Sequence, residues 1–286
     1  MEPPLLPPPD ASLPPGLYIV ATPIGNLGDL SPRAARVLAS VALIAAEDTR
    51  VTAKLLAHIG TKVPMQPYHD HNADAVRPLL IDRMGREAIA LVSDAGTPLI
   101  SDPGYKLVRD ARAAGVVVVT IPGPCAAVAA LTLAGLPTDR FLFAGFLPPK
   151  AAARAAAIDE LASLRASLVF YESGPRTGAT LAVLHERLGD RPAAVAREIT
   201  KKFEETIDGT LSSLAARYAV TPPRGEVVIV VGPPAAAAAA TPADLDAALT
   251  AAMAANPLSA AVAEVSSALG LARKTVYARA LELRAK

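Results

Sequence analysis

Residues 116–127 read VVVVTIPGPCAA. Six β-branched residues in a row, from Val116 to Ile121, favour a strand, because side chains branched at Cβ pack well on a pleated surface and lose rotamer freedom in a helix. Pro122-Gly123-Pro124 ends the strand, and the alanine-rich segment after Pro124 starts a helix. A run this continuously apolar implies cover on both faces of its sheet. Working outward, the same alternation repeats. Residues 17–22 (LYIVAT), 41–46 (VALIAA) and 89–92 read as strands, while 32–40, 50–58 and a segment after Pro103 read as helices. Strands alternating with helices imply crossover units and a largely parallel sheet.

A second block begins near Phe141. Residues 141–146, 167–171, 193–196, 204–207 and 227–231 read as strands, with two helices between the early ones. This is a mixed α+β domain, joined to the first through the turn-rich segment 135–140 (GLPTDR). A third region follows the stretch 232–240 (GPPAAAAAA). Thr241 caps a helix whose first position is Pro242. Ser259 caps a second, with Val262, Val265 and Leu269 at helical spacing. Gly270 ends it, and a last helix runs over 272–285. Helix, glycine turn, helix resembles a helix-turn-helix. The last helix carries Arg273, Lys274, Arg279, Arg284 and Lys286 against Glu282 alone, which reads either as a nucleic-acid face or as a solvated surface. The expected organisation is therefore a disordered proline-rich tail over 1–16, an α/β domain over 17–136, a second over 137–232, a linker over 233–240 and a helix-turn-helix-like region over 241–286.

Composition narrows the class. The 286 residues are 52% hydrophobic and 4% aromatic, with a formal net charge of +1. Any nucleic-acid contact must therefore come from a local basic face. A single cysteine, Cys125, forbids an intrachain disulfide and fits a reducing cytoplasm. The start, MEPPLLPPPDASLPPG, lacks the basic and apolar regions of a signal peptide. No apolar stretch is long enough to span a bilayer, so no membrane partner is expected.

Glycine-proline loops stand just after strand ends, at Thr22-Pro23-Ile24-Gly25-Asn26, Ser93-Asp94-Ala95-Gly96-Thr97-Pro98, Ser101-Asp102-Pro103-Gly104 and Pro122-Gly123-Pro124. In a parallel sheet the ligand crevice lies outside the carboxyl ends of the strands. Glycine there lets backbone N–H and C=O groups approach a ligand. Each loop taken singly is equally a tight turn; together they point to one bound small molecule. No GxxxxGK[ST] and no GxGxxG follows a strand, which disfavours phosphate cradling and ordinary dinucleotide binding. His69-Asp70-His71 reads as a hydrogen-bonded loop and not as a metal pair, and no metal is expected. Charged residues also sit at strand ends, in Glu47-Asp48-Thr49-Arg50, Tyr171-Glu172-Ser173 and Arg197-Glu198-Ile199-Thr200-Lys201-Lys202. Salt bridging and capping are their alternative use.

The segments ATPIGNLGDLSPRA, AEDTR, LVSDAGTPLISDPG, IPGPCAA, FLFAGFLP, FYES, REITKKFEE and GEVVIVV, in that order, resemble the motifs of the ribosomal RNA small subunit methyltransferase I family, cytidine 2′-O-methyltransferases of the tetrapyrrole-methylase superfamily. The resemblance covers about residues 17–232 and continues into the C-terminal helices. It implies two α/β domains, S-adenosylmethionine as methyl donor in the cleft between them, small-subunit ribosomal RNA as partner and a cytoplasmic homodimer. Carried over residue by residue, it implies a donor site of Pro23, Gly25, Asp94, Gly96, Thr97, Pro98, Cys125, Ala126 and Tyr171. The family usually has Ser where Cys125 stands, and reads Tyr-Glu-Ser-Pro-His-Arg where this chain has Tyr171-Glu172-Ser173-Gly174-Pro175-Arg176. Charge and position make Glu198 and Lys201 the first catalytic candidates, with Asp48 and Arg50 next. The rival readings are another methyltransferase of the superfamily acting on a small molecule or protein, and a DNA-binding regulator working through the C-terminal helices.

Overall fold

A computed structural model describes residues 12–235 and 241–284. Most of the expected tail and linker lies outside the described residues. The last tail residues run straight into the first strand, where the Tyr18 hydroxyl donates to Pro14 O at 2.9 Å. The chain divides into two compact units, Met1–Pro234 and Ala235–Lys286.

The first half of the larger unit is a five-stranded parallel sheet. Its strands are β1 (Gly16–Val20), β2 (Leu43–Ala46), β3 (Met65–Pro67), β4 (Ala88–Val92) and β5 (Val118–Ile121), in the order β3-β2-β4-β1-β5. The helices are α1 (Pro32–Ser40), α2 (Thr49–His58), α3 (Ala73–Met84), α4 (Tyr105–Ala113) and α5 (Ala126–Leu133). Central β4 is buried along its whole length, as a strand covered on both faces must be. The run 116–121 does not meet that expectation. β5 is the edge strand; Val117 is exposed, Val118 and Val119 are half-buried and Thr120 faces water. An apolar run records packing on a face but not position within the sheet order. Periodicity also missed β3 and α3. β3 is three residues long and ends in proline, and α3 carries Pro78 within it.

The second half is a mixed sheet in the order β6-β7-β10-β8-β9, where β6 (Phe141–Phe146) and β7 (Ser167–Ser173) are parallel. β10 (Glu226–Val231) runs antiparallel to β7 and β8 (Pro192–Arg197), and β8 antiparallel to β9 (Glu205–Thr210). Residues alternate along β10. Val227, Ile229 and Val231 face a core built with α7 (Thr177–Leu188) and α8 (Leu211–Val220), whereas Val228 and Val230 face α5. α6 (Ala151–Asp159) adds Ile158 to the former core. α5 thus starts at the carboxyl end of a first-sheet strand and lies on the second sheet, which ties the halves together.

The smaller unit holds α9 (Pro242–Ala255), α10 (Leu258–Leu269) and α11 (Arg273–Arg284) around Leu245, Leu249, Val262, Val265 and Val276. Thr241 and Asp244 form a capping box, and Gly270 ends α10 at φ 63°. Ser259 is not a cap: Pro257 occupies that position, its fixed backbone starting the helix two residues earlier. Arg279 is not part of a free basic face, since it pairs with Asp246 of α9 at 2.6 Å and with Glu282 at 2.5 Å.

Candidate active site

Strand order decides which loops meet. With β2, β4, β1 and β5 adjacent and parallel, the segments after their carboxyl ends stand side by side: Glu47, Ser93–Asp102, Thr22–Gly25 and Pro122–Cys125. In the second sheet β7 and β8 run antiparallel to β10, so the ends of the former and the start of the latter share one edge. The two edges enclose a cleft of about 460 Å³. Its first wall carries Ile24, Glu47, Asp94, Gly96, Thr97, Ser101, Asp102, Cys125 and Ala126; its second carries Phe146, Tyr171, Glu198, Ile199, Lys201 and Glu226.

The loops are pinned from behind. Thr22 and Gly96 exchange backbone hydrogen bonds at 2.8 and 3.1 Å, and the Thr97 hydroxyl donates to Pro124 O at 2.9 Å. Gly96 sits at φ 83°, with the place of its missing Cβ 3.2 Å from Ile24 Cγ2. Tyr171 reaches across the cleft: its hydroxyl accepts the Ala127 N–H at 3.1 Å at the start of α5, and its ring stacks edge-on against Phe143 and Phe146. Burial pushes its phenol above the ordinary range. All four non-glycine residues at positive φ among the described residues belong to the loops that border the cleft: Leu99 (75°), Ser101 (65°), Glu198 (50°) and Thr200 (68°). Such strain, of order 1–3 kcal/mol each, persists where the surroundings over-determine the backbone, and functional sites are where it gathers.

The electrostatics are one-sided. Glu47, Asp94, Asp102, Glu198 and Glu226 line the cleft, against one lining cation, Lys201. Asp94 N–H donates to Glu47 Oε2 at 3.2 Å, and Asp48 N–H donates to Asp94 Oδ1 at 2.9 Å. Burial raises Glu47 and Asp94 above the usual carboxylate range. Burial pushes Asp102 furthest, to about 6, with Glu47, Asp94 and Glu226 adding repulsion and Ser93 opposing through a hydrogen bond. Lys201 Nζ lies 3.0 Å from Glu198 Oε1, and its alkyl chain covers Gly25, where a Cβ would stand 2.5 Å from Lys201 Cε.

Of the expected donor residues, Asp94, Gly96, Thr97, Cys125, Ala126 and Tyr171 line this cleft, as do the catalytic candidates Glu198 and Lys201. Pro23 and Gly25 line a smaller cavity behind Asp94, and Pro98 lines neither. Asp48 and Arg50 stand at the N-terminus of α2, bound to each other at 2.6–3.1 Å, and Asp48 is held down at about 2 by that pairing. Sequence reasoning did not single out Glu47, Asp102 or Glu226 as site residues. Glu47 follows β2, Asp102 lies late in the loop after β4 and Glu226 begins β10; that these places meet in one cleft is readable only once strand order is known. His69 and Asn72 form the expected hydrogen-bonded turn, with His69 N–H donating to Asn72 Oδ1 at 2.9 Å.

Comparison with known proteins gives two family matches. The model described as Tetrapyrrole (Corrin/Porphyrin) Methylases matches residues 16–215, and the RsmI C-terminal HTH domain matches 239–284. A Mesorhizobium japonicum protein named "Ribosomal RNA small subunit methyltransferase I" is 48% identical over 279 residues, covering 96% of this chain and 95% of the relative. One of the same name from Erythrobacter litoralis is 53% identical, covering 95% and 96%. Among solved structures, uroporphyrin-III C-methyltransferase from Thermus thermophilus complexed with S-adenosyl homocysteine aligns at TM-score 0.53 and 19% identity, over 76% of this chain and 97% of that one, and so shares the fold.

Proposed function

Because the chain belongs to the tetrapyrrole methylase family, and within it to the ribosomal RNA small subunit methyltransferase I family, we propose that it transfers a methyl group from S-adenosylmethionine to the 2′-hydroxyl of a cytidine in small-subunit ribosomal RNA. The observation that carries the donor assignment is the acid-lined cleft. Five carboxylates facing one lysine favour a cationic ligand, and a sulfonium with an amino-acid tail is one, whereas a dinucleotide pyrophosphate would be repelled. The volume lies within the ~300–1,000 Å³ of sites that enclose a small molecule. Gly96, with positive φ and no Cβ, leaves its backbone open to close approach.

When bound, the donor supplies an electrophilic methyl carbon. Asp94, Gly96, Thr97, Cys125, Ala126 and Tyr171 would hold it, with the Tyr171 and Phe146 rings forming an apolar part of the wall. Near-attack placement of two partners in such a cleft supplies a large share of the rate. The ribose hydroxyl is a poor nucleophile until its proton is drawn off. The Lys201 ammonium stabilises charge developing on that oxygen, and Glu198 accepts the proton. Asp48, held acidic by Arg50 and outside the lining of the cleft, is the weaker candidate, and with Arg50 it stands in reserve as a substrate contact. Arg273, Lys274 and Arg284 on α11 add phosphate contacts to the RNA. We place the enzyme in the cytoplasm as a homodimer. No helix among the described residues is long and apolar enough to cross a membrane. Incubation with labelled S-adenosylmethionine and undermethylated small subunits, followed by mapping of the modified ribose, tests the proposal. Label at one cytidine 2′-oxygen is expected; label on a base, or none, overturns it.

A further inference from the structure

Behind Asp94 lies a second cavity of about 180 Å³, between the loop after β1 and helix α2. We propose that it holds the base of the nucleotide whose ribose is methylated, and that it is built for cytosine; this rests on the RNA reading above. Three observations carry the inference.

The first is placement. The two cavities share Asp94, and the loop between them divides its residues, Ile24 to the main cleft and Pro23 and Gly25 to the small one. A nucleotide carries its base and its 2′-oxygen on neighbouring carbons of one sugar ring. A base seated in the small cavity therefore leaves the reacting oxygen at the wall of the large one, beside Lys201, whose chain lies over Gly25.

The second is size and surface. The cavity is smaller than the ~300–1,000 Å³ that encloses a whole drug-sized ligand, and suits one ring system. Leu27 and Val51, 47% and 38% exposed, stand at its walls as apolar surface that a flat ring would cover. RNA enzymes take single-stranded bases splayed out of the stack, for which such slots serve.

The third is hydrogen-bonding sense. Thr22 and Ser93, 3% and 4% exposed, line the cavity; the Thr22 hydroxyl donates to Ser93 O at 3.3 Å, and the single Ser93 hydroxyl proton is shared between Ala95 O at 3.4 Å and the Asp102 carboxylate. A hydroxyl whose proton is spent presents lone pairs. With the Asp94 carboxylate they form an acceptor wall, which suits an exocyclic amine. A one-ring base bearing an amine is cytosine; uracil offers a carbonyl there. Lys54, which makes no ion pair among the described residues, borders the cavity where a phosphate would follow.

The test uses full-length protein saturated with S-adenosylhomocysteine, titrated with millimolar cytidine or uridine 5′-monophosphate and read by NMR at assigned Thr22, Val51, Thr52 and Lys54 signals. The expectation is shifts with the cytidine nucleotide, several-fold weaker shifts with the uridine one, and loss of both in Val51→Trp, whose ring fills the slot. In parallel, Val51→Trp should raise the KM for small subunits about tenfold or more while S-adenosylhomocysteine affinity stays within about twofold of wild type. Absence of shifts at these residues, equal response to both nucleotides, or a wild-type KM in Val51→Trp overturns the inference. Nucleotide shifts here without ribose methylation by the wild type would instead overturn the RNA-methylation reading and leave the base slot standing.

Discussion

Asp102→Asn should make the protein more stable at neutral and alkaline pH. The native structure holds this carboxyl at about 6 against an ordinary value of 3.8, because burial and the neighbouring Glu47, Asp94 and Glu226 disfavour its charge. A carboxyl raised on folding makes the folded state bind more protons than the unfolded one between those two values, so stability falls as the pH rises through that window and stays lower above it. A shift of about two units corresponds to a ceiling of about 3 kcal/mol at ~1.36 kcal/mol per unit. Asp102 keeps some contact with water, and solvent screening brings the realistic figure to about 1 kcal/mol. For a unit of this size that is roughly 2–4 °C in melting temperature. Asparagine keeps the shape and removes the charge. Thermal melts of wild type and variant, followed by circular dichroism at pH 8 and pH 5, should show the variant ahead by that margin at pH 8 and by about half of it at pH 5. A variant no more stable than wild type at pH 8, or an advantage that grows toward acid, would refute the assignment of a strained charge to this position.

Glu198→Gln and Lys201→Met should each lower single-turnover methylation, on the order of 10²–10⁴-fold for loss of the proton acceptor, while calorimetric affinity for S-adenosylhomocysteine stays near wild type; methylation within a few-fold for both removes them from the chemistry. Gly96→Val should abolish donor binding in calorimetry, and, because a β-branched residue at φ 83° is strained, should also cost about 1–3 kcal/mol in a denaturant melt of a still-folded protein. Full donor affinity in that variant would show that the loop lies away from the ligand. Leu249→Ala removes a fully buried side chain from the small C-terminal core, at about 2–5 kcal/mol, and should melt residues 241–284 alone. Hydrogen exchange should then show protection lost there and kept in β4, with donor binding intact and small-subunit affinity reduced.

What the sequence by itself determined is local. Short runs of β-branched, aromatic and other apolar residues marked β1, β2, β4, β5 and most of the second sheet, since strand formation depends on side chains a few residues apart. Strand-end glycines marked where backbone turns sharply, as Gly25 at φ 148° and Gly96 at φ 83° do. Motif order then pointed to the family. Tertiary structure decided which of these signals share a site. Asp102 and Glu226 are separated by 124 residues in the chain and belong to opposite walls of one cleft, an encounter set by the orders β3-β2-β4-β1-β5 and β6-β7-β10-β8-β9 and invisible to any local window. The same holds for charge. Asp48 and Asp102 are identical residues in the sequence, yet an adjacent guanidinium holds one at about 2 and burial among other carboxylates lifts the other to about 6. Proton affinity is a property of the folded surroundings, and so the loop that carries Asp102 was legible in the sequence while its raised carboxyl was not.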